Sequence, residues 1–340
     1  MKYMKLLLLC LLIGLCCSCM VSCEHRQLVE INGTYYVRVY LNEQIKNVTC
    51  GFYNPEYNHP EYKIPQALRV ALASRDTGEI LHEAVLRNYD SDERGSFMDG
   101  YIGAVPGEYN LLVYELGSSV THIGNFGENF GISAYTDPVS DRIMAYLPSV
   151  GEDIDRAKIV LEPEHLMATL CADVSVPMSM SVDTLKTETG DYFYAESIAK
   201  SYYLQLRIKG VEWVHAAAAV LSGMSGSVQL GYEEGLVMKD PVNLFFIMGY
   251  ADKRLYTTFT TFGKMPEQSS VLNLNFEFTK KDGSTQVEKI DITDVFKTPE
   301  AIENQWLLLD KEIVISKPSG TGGMAPGVEG WKDIETDIIM

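Results

Sequence analysis

Cysteine is the residue type whose spacing in this sequence most directly suggests chemistry. Five of the seven cysteines lie within the first 23 residues, and the last of them, Cys23, directly follows Val21 and Ser22. A deprotonated cysteine sulfur is a nucleophile and can be alkylated. Before it, Lys2 and Lys5 are followed by an apolar stretch of about ten residues, the pattern of a secretory signal. A membrane-spanning helix would need roughly 20 apolar residues.

The sequence around Cys23 resembles a bacterial lipobox, in which the cysteine is diacylated on its sulfur and becomes the first residue of the mature chain. Cys19, preceded by Ser18, is an alternative lipidation site, and an ordinary cleaved signal without lipid is a second alternative. We predict that residues 1–22 are a lipoprotein signal peptide. The lipid on Cys23 would then attach the folded chain to a membrane outside the cytoplasm.

The composition excludes several classes of partner. The 340 residues include 28 basic and 46 acidic side chains, with a formal net charge of −18. Binding to nucleic acid, or by charge to anionic lipid, needs clusters of basic residues, so neither is expected. A chain of this length is too long for one compact core and suggests two domains.

The remaining reactive residue types do not form an enzymatic pattern. Residues 222–226 superficially resemble a nucleophile elbow, but the downstream glycine stands one residue after Ser225 where the elbow requires two, so we expect a turn. The six histidines lack metal-ligand spacing, and no phosphate-binding loop is present. A pair of carboxylates that converge in a cleft is left open. We predict a non-enzymatic protein without cofactor or metal.

Two aromatic loops are candidates for glycan binding. Tyr57 and Tyr62 lie in a repeated Pro-Glu-Tyr motif, and Phe126 and Phe130 lie in a repeated Asn-Phe-Gly motif. Aromatic rings beside Asn and Glu could stack on a sugar while the polar groups bind its hydroxyls. Alternatively, the first loop is an extended connection and the phenylalanines of the second fold back onto the core.

The elements that would position these residues are mostly strands. Apolar or alternating runs rich in β-branched and aromatic residues occupy 34–41, 67–73, 108–114, 201–208, 242–248 and 271–278. Asp282-Gly283 predicts a hairpin, and Thr298-Pro299 predicts the start of a short helix. Residues 216–221 could be helix or strand. The pattern predicts an all-β fold built as sandwiches with one or two short helices.

The domain limits are placed at changes in this pattern. A strand ends near residue 161 and a new alternating run begins at 166, so we predict domains at 23–163 and 164–318. A glycine-rich joint and a C-terminal tail or strand follow at 319–340. Cys50 and Cys171 would then lie in different domains as separate buried thiols, although a disulfide between them is the alternative.

Four segments together resemble a known superfamily. They are CEHR at 23–26, VPGEYNLLVY at 105–114, AVLSGMSGSV at 219–228 and GMAPGVEGW at 323–331. The chain resembles the fimbrillin superfamily, the lipoprotein-derived subunits of type V pili in gut and oral anaerobes. It is most similar to the uncharacterised fimbrillin-like lipoproteins within it. The resemblance implies two tandem Greek-key, transthyretin-like β-sandwich domains.

The resemblance also implies assembly with other pilus subunits by strand exchange. An arginine-type protease would remove an N-terminal strand, and a neighbour's terminal strand would fill the groove. The candidate plug is 34–41 and the candidate donor is 328–340; their strand-exchange residues are Tyr35, Val37, Val39, Leu41, Ile334, Ile338 and Met340.

The basic residues near this strand depart from the implied cut site. Arg38 lies inside it, while Lys46 and Arg75 lie beyond it, and Lys46 does not suit an arginine-type protease. An uncut chain would keep its lipid and serve as a pilus anchor or accessory subunit in adhesion. We expect an outer-membrane lipoprotein at the cell surface or fimbrium. A stand-alone surface lipoprotein that binds glycans is the alternative.

Overall fold

The computed structural model confirms the predicted all-β class, with 62% strand and 8% helix among the residues that it describes. It describes residues 33–42, 64–124, 132–144, 154–178, 182–230, 236–237, 241–251, 253–265 and 271–318. Several residues singled out in the sequence lie outside these ranges: Cys23, Cys50, Tyr57, Tyr62, Phe126, Phe130, Ile334, Ile338 and Met340. No helix within the described ranges has the length and apolarity needed to cross a membrane.

The first part of the chain contains twelve described strands. They are β1 (Gly33–Leu41), β2 (Leu68–Ser74), β3 (Ile80–Leu86), β4 (Asn88–Asp92), β5 (Gly95–Ala104), β6 (Gly107–Glu115), β7 (Thr121–Gly124), β8 (Ser133–Thr136), β9 (Ile159–Val160), β10 (Met167–Val176), β11 (Asp183–Thr184) and β12 (Phe193–Ser197). A short helix, Asp141–Met144, and a 3-10 turn, Arg156–Lys158, lie between β8 and β9.

The second part contains ten more described strands. They are β13 (Lys200–Lys209), β14 (Val214–Ser225), β15 (Ser227–Gln229), β16 (Leu236–Val237), β17 (Pro241–Ile247), β18 (Gly249–Ala251), β19 (Arg254–Thr261), β20 (Asn273–Lys280), β21 (Thr285–Asp291) and β22 (Trp306–Val314). A helix, Pro299–Asn304, precedes β22, and 3-10 turns occupy Val211–Trp213 and Val295–Lys297.

The first hydrophobic core lies inside one curled sheet. The sheet has the order β3-β2-β6-β10-β12-β1-β5-β4, with β11 added beside β1. Its two ends approach each other because β3 packs against β5. Alternate residues of most of its strands point inward, as the period of two along a strand requires, and large side chains such as Leu72, Met98 and Phe193 are fully enclosed.

The second core lies between two sheets. One has the order β18-β19-β13-β22 and the other the order β21-β20-β14-β17-β9. Phe246 and Phe259 stack in this core with ring centroids 4.8 Å apart. Phe276, Phe278 and Leu274 are completely buried beside them. Aromatic residues at alternate positions of facing strands therefore fill the space between the sheets.

The two cores do not divide the chain at the predicted limit between 163 and 164. Strand β10 pairs with β6, and residues of β10 and β12 such as Val174 and Phe193 pack into the first core. Strand β9, by contrast, pairs in parallel with β17 of the second core. The chain thus crosses to the second sandwich at β9, returns to the first for β10–β12, enters the second at β13, and returns once more at β15, which pairs with β8. The predicted limit was misplaced because the strand that ends near residue 161 is followed by three more strands of the first sandwich, β10 to β12.

Two local predictions are confirmed. In the hairpin after β20, Gly283 adopts a φ of 82°, and the Lys280 amide donates to the Ser284 carbonyl at 2.7 Å. The helix Pro299–Asn304 begins after Thr298, whose hydroxyl accepts a hydrogen bond from the Ala301 amide at 3.2 Å.

The turn expected at 222–226 is wrong, because β14 continues to Ser225. Gly223 forms a β-bulge there with a φ of 84°. A Cβ at this glycine would lie 2.9 Å from Leu272 Cδ2 and 3.0 Å from the Val271 carbonyl oxygen. The residues 216–221 also belong to β14, so the strand alternative is correct. Small residues here reflect close approach within a strand rather than a turn.

Candidate functional site

The first strand, β1, is an interior strand of the first sandwich. On one side it pairs antiparallel with β5, from Gly33 opposite Ala104 to Tyr40 opposite Phe97. On the other side it pairs in parallel with β11 and β12. Because both edges of β1 are hydrogen-bonded, its absence would expose a groove between β5 and β12 with unpaired backbone groups along both walls.

The inward face of β1 consists of the four residues that the sequence proposes for strand exchange. Tyr35, Val37, Val39 and Leu41 are all buried in the first core. The Tyr35 hydroxyl donates a hydrogen bond to the Pro177 carbonyl at 2.6 Å. The alternation of β1 therefore places these four side chains together as a row of core residues.

The outward face of β1 is held by a polar and aromatic network that the sequence analysis missed. Arg38 forms an ion pair with Asp92 at 2.9 Å, and its guanidinium lies 3.9 Å from the Phe97 ring centroid. The Tyr40 hydroxyl donates to Asp92 at 2.7 Å, which lowers the pKa of that carboxyl. The Tyr36 hydroxyl donates to an oxygen of Asp99 at 2.6 Å. Both faces of β1 are therefore anchored.

One signal in the sequence points to this network. The strand has large side chains at both inward and outward positions, since Tyr36, Arg38 and Tyr40 alternate with the core residues. A strand with only one covered face tends to carry smaller polar residues outward. The partners Asp92, Asp99 and the rings beyond them could not be identified, because strand pairing was unknown.

The two arginines that bear on proteolysis lie in ordered structure. Arg38 is in the middle of β1 and its side chain is part of the network just described. Arg75 lies in the tight turn between β2 and β3, where it forms ion pairs with Glu108 at 2.7 Å and Asp173 at 3.0 Å. Lys46 lies outside the described ranges. Neither arginine is presented in an extended exposed loop, which is where proteases cut most readily.

A second cluster of titratable groups lies on the connection that crosses between the two cores. The His165 ring nitrogens lie 2.7 Å from the Ser197 hydroxyl and 2.6 Å from the Ser201 hydroxyl. Ser201 is only 2% exposed, and its neighbour across the ring is a serine rather than a carboxylate. A buried hydroxyl without an orienting acid does not have the arrangement of a catalytic serine.

Two glutamates of the same connection form hydrogen bonds with different sandwiches, Glu162 with the second and Glu164 with the first. Glu162 accepts a hydrogen bond from the Thr260 amide at 2.8 Å, and burial raises the pKa of its carboxyl to about 8. Burial also raises the pKa of Glu164, but hydrogen bonds from the Ser118 hydroxyl and the Val120 amide outweigh this and lower it. The connection is therefore pinned to both sandwiches. Among the described residues, no cluster suited to a metal ion is present.

Cys171 is a free thiol in the described part of the chain. It is half-buried on β10, and burial raises its pKa. It is therefore mostly protonated and weakly reactive at neutral pH.

One named protein is similar in sequence to most of this chain. No family model matches the sequence. A protein from Bacteroides ovatus, named as a candidate fimbrium anchoring subunit, Fim4B, is 23% identical over 278 residues, which cover 71% of this chain and 77% of that protein.

One solved structure shares this fold. A candidate adhesin from Bacteroides ovatus superposes with a TM-score of 0.58 at 19% identity, covering 85% of this chain and 95% of that one. The fimbrial anchor protein Mfa2 from Porphyromonas gingivalis gives a TM-score of 0.45 at 14% identity, covering 83% and 91%. The sequence relative and the shared sandwich fold confirm the predicted resemblance of this chain to the fimbrillin superfamily.

Proposed function

We propose that this chain is a non-enzymatic structural protein of a pilus, an anchor or accessory subunit that contributes to adhesion. The observation that carries the proposal is the match to the fimbrium anchoring relative, which extends over 71% of the chain rather than over one motif. The fold shared with a candidate adhesin agrees with a structural role. Fold alone does not determine function, so the proposal rests on the sequence relative.

The geometry of β1 supports a role for this strand as the intramolecular plug of the first sandwich. It fills an interior position, inserts four side chains into the core and is paired along both edges. A strand from another subunit could occupy the same groove by main-chain hydrogen bonds and alternate side chains. Residues 328–340, the proposed donor segment, lie outside the described ranges.

We propose that β1 stays in place in this subunit. Arg38 is covered by its network, and Arg75 is held in a tight turn by three ion pairs. An uncut chain retains its N-terminus and, with it, the lipid on Cys23. This agrees with an anchor at the outer membrane whose outward partners are other pilus subunits.

Intact mass measurement and terminal sequencing of the protein from its own outer membrane test these points together. We expect an acylated chain that begins at Cys23 and retains β1. Cys23→Ala should abolish acylation, whereas Cys19→Ala, the matched control at the alternative site, should leave it unchanged. A lipid-free chain that begins beyond Leu41 would contradict the anchor role and identify a polymerising pilin instead.

A further inference from the structure

The outer surface of the first sandwich carries a group of tyrosines that the pilus role does not explain. Tyr36 of β1, Tyr101 of β5, and Tyr192 and Tyr194 at β12 all lie on one side of three neighbouring strands. We call this group the aromatic face. Tyr101 is 60% exposed and Tyr194 is 46% exposed. Exposed rings gathered on one surface commonly mark a binding site.

The rings of the aromatic face are held in fixed positions. Tyr101 packs edge-on against Tyr36 with centroids 5.7 Å apart, and Tyr194 stacks on Tyr40 at 5.3 Å with an interplanar angle of 23°. The Tyr36 hydroxyl is tied to Asp99. Tyr101 and Tyr194 lie opposite Tyr36 and Tyr40, which are four positions apart on β1, so the two exposed rings are spaced by about 13 Å along the strand direction, enough for more than one small ring. A preorganised surface loses little conformational entropy on binding.

The composition of the surface indicates the chemistry of its partner. The outward positions of β1, β5 and β12 hold only aromatic, charged, threonine and glycine residues. Protein–protein interfaces are enriched in methionine as well as in aromatic residues and arginine, and fully buried interface cores are largely apolar, whereas these positions hold no methionine or aliphatic side chain. Tyrosine rings with hydroxyl edges instead suit a sugar, whose C–H groups stack on a ring face while its hydroxyls accept and donate hydrogen bonds.

The charges around the aromatic face favour an uncharged partner. Arg38 is paired with Asp92, and Arg94 and Lys186 lie 5.3 and 5.0 Å from the Tyr192 ring centroid. These cations alternate with the carboxylates of Asp92 and Asp99, so no block of one sign is exposed. The chain as a whole has a net charge of −18 and repels polyanions.

We propose that the aromatic face binds a neutral, hydroxyl-rich polysaccharide. Its residues differ from Tyr57, Tyr62, Phe126 and Phe130, the candidates that the sequence suggested, which lie outside the described ranges. Because Tyr36, Arg38 and Tyr40 belong to β1, the face exists only while that strand is in place. Sugar binding therefore belongs to the unprocessed subunit, and exchange of β1 abolishes it.

Native affinity electrophoresis of the full chain tests the proposal. The gels contain one of four neutral polysaccharides, namely laminarin, galactomannan, arabinoxylan or amylose, or the acidic polygalacturonate. We expect retardation by at least one neutral polysaccharide. The double variant Y101A/Y194A should bind it about tenfold more weakly or not at all, since both exposed stacking rings are lost.

Tyr89→Ala is the matched control. Tyr89 is 43% exposed on β4 of the same sheet, but it lies on the opposite face with Met98 and should leave binding unchanged. Circular dichroism and thermal melting of each variant establish that it is folded. Retardation by polygalacturonate alone, equal binding by the two variants, or no retardation by any neutral polysaccharide would each overturn the proposal. Loss of a pilus partner in Y101A/Y194A without any sugar effect would overturn it in favour of a protein interface.

Discussion

Arg38 is the cation that ties the outward face of β1 to its surroundings. It combines an ion pair with Asp92, hydrogen bonds to the Tyr36 and Tyr40 hydroxyls, and a stacking contact with Phe97. A guanidinium suits such a position because it is planar and can donate several hydrogen bonds while it lies on a ring. A lysine could not reproduce these contacts.

Arg38→Ala should lower the free energy of unfolding by about 1–3 kcal/mol, because packing and several charge-assisted hydrogen bonds are lost together. Urea unfolding at neutral pH measures the change. Arg207→Ala is the control, since Arg207 and Asp310 form a solvent-exposed ion pair and its loss should change stability by less than about 0.5 kcal/mol. Similar values for the two variants would show that the network around Arg38 does not stabilise β1.

The raised pKa of Glu162 should make the free energy of unfolding depend on pH. Its pKa in the folded chain is raised by burial to about 8, above the ordinary value of 4.5. The folded state therefore holds the proton more tightly than the unfolded state, so this stabilisation is complete below the unfolded pKa and is lost as the pH rises toward 8. Glu115, whose pKa is raised by burial to about 6, acts in the same direction.

Glu162→Gln should reduce the loss of melting temperature between about pH 5 and about pH 9, since the amide keeps an acceptor for Thr260 and cannot ionise. Differential scanning fluorimetry across this range measures the effect. Glu212→Gln, at an exposed position, should leave the pH profile unchanged. A wild-type melting temperature that rises steadily over the range would contradict the assignment.

At the scale of elements, the bulge in β14 shows why local sequence patterns can mislead. Gly223 was expected in a turn because small residues surround it. The structure instead needs a glycine there for a φ of 84° and for the close approach of Val271 and Leu272.

The strands themselves were predictable, because alternation in runs such as 34–41 and 201–208 depends on local burial alone. Strand order, the return of β10 to the first core, and the partners of Arg38 depend on distant residues and could not be read from one sequence.

Gly223→Ala and Gly283→Ala separate backbone strain from crowding, because both glycines have nearly the same positive φ. At Gly283 nothing lies within 4 Å of an added Cβ, so the loss should be the conformational penalty of about 1–2 kcal/mol. Gly223→Ala should be less stable by about 1–3 kcal/mol beyond that, because its Cβ meets Leu272 and the Val271 carbonyl. Chemical denaturation gives both values, and equal losses would exclude crowding at the bulge.

For the whole molecule, the two sandwiches are joined by more than a linker. Strand β15 of the second part pairs with β8 of the first, β9 pairs with β17, and the connection with Glu162, Glu164 and His165 is bonded to both sides. Each of these contacts joins residues far apart in sequence. We therefore expect the two sandwiches to unfold together rather than as independent domains.

Limited digestion with an arginine-specific protease tests whether the folded chain protects β1. Under native conditions we expect no product that begins at Val39, because Arg38 lies within a paired interior strand. In urea above the unfolding transition the same product should form readily, and this digestion is the control for protease activity. Native cleavage at Arg38 would mean that β1 leaves its groove spontaneously.

The position of β1 also bears on how the molecule responds to mechanical load. Gly33, at the start of β1, is where any tether upstream of the strand would pull. A force directed along β1 acts parallel to the strand, so the hydrogen bonds to β5, β11 and β12 share it in shear and must break together. A strand peeled from an edge would lose them one at a time. The first sandwich is thus built to transmit tension through its N-terminal strand without unravelling.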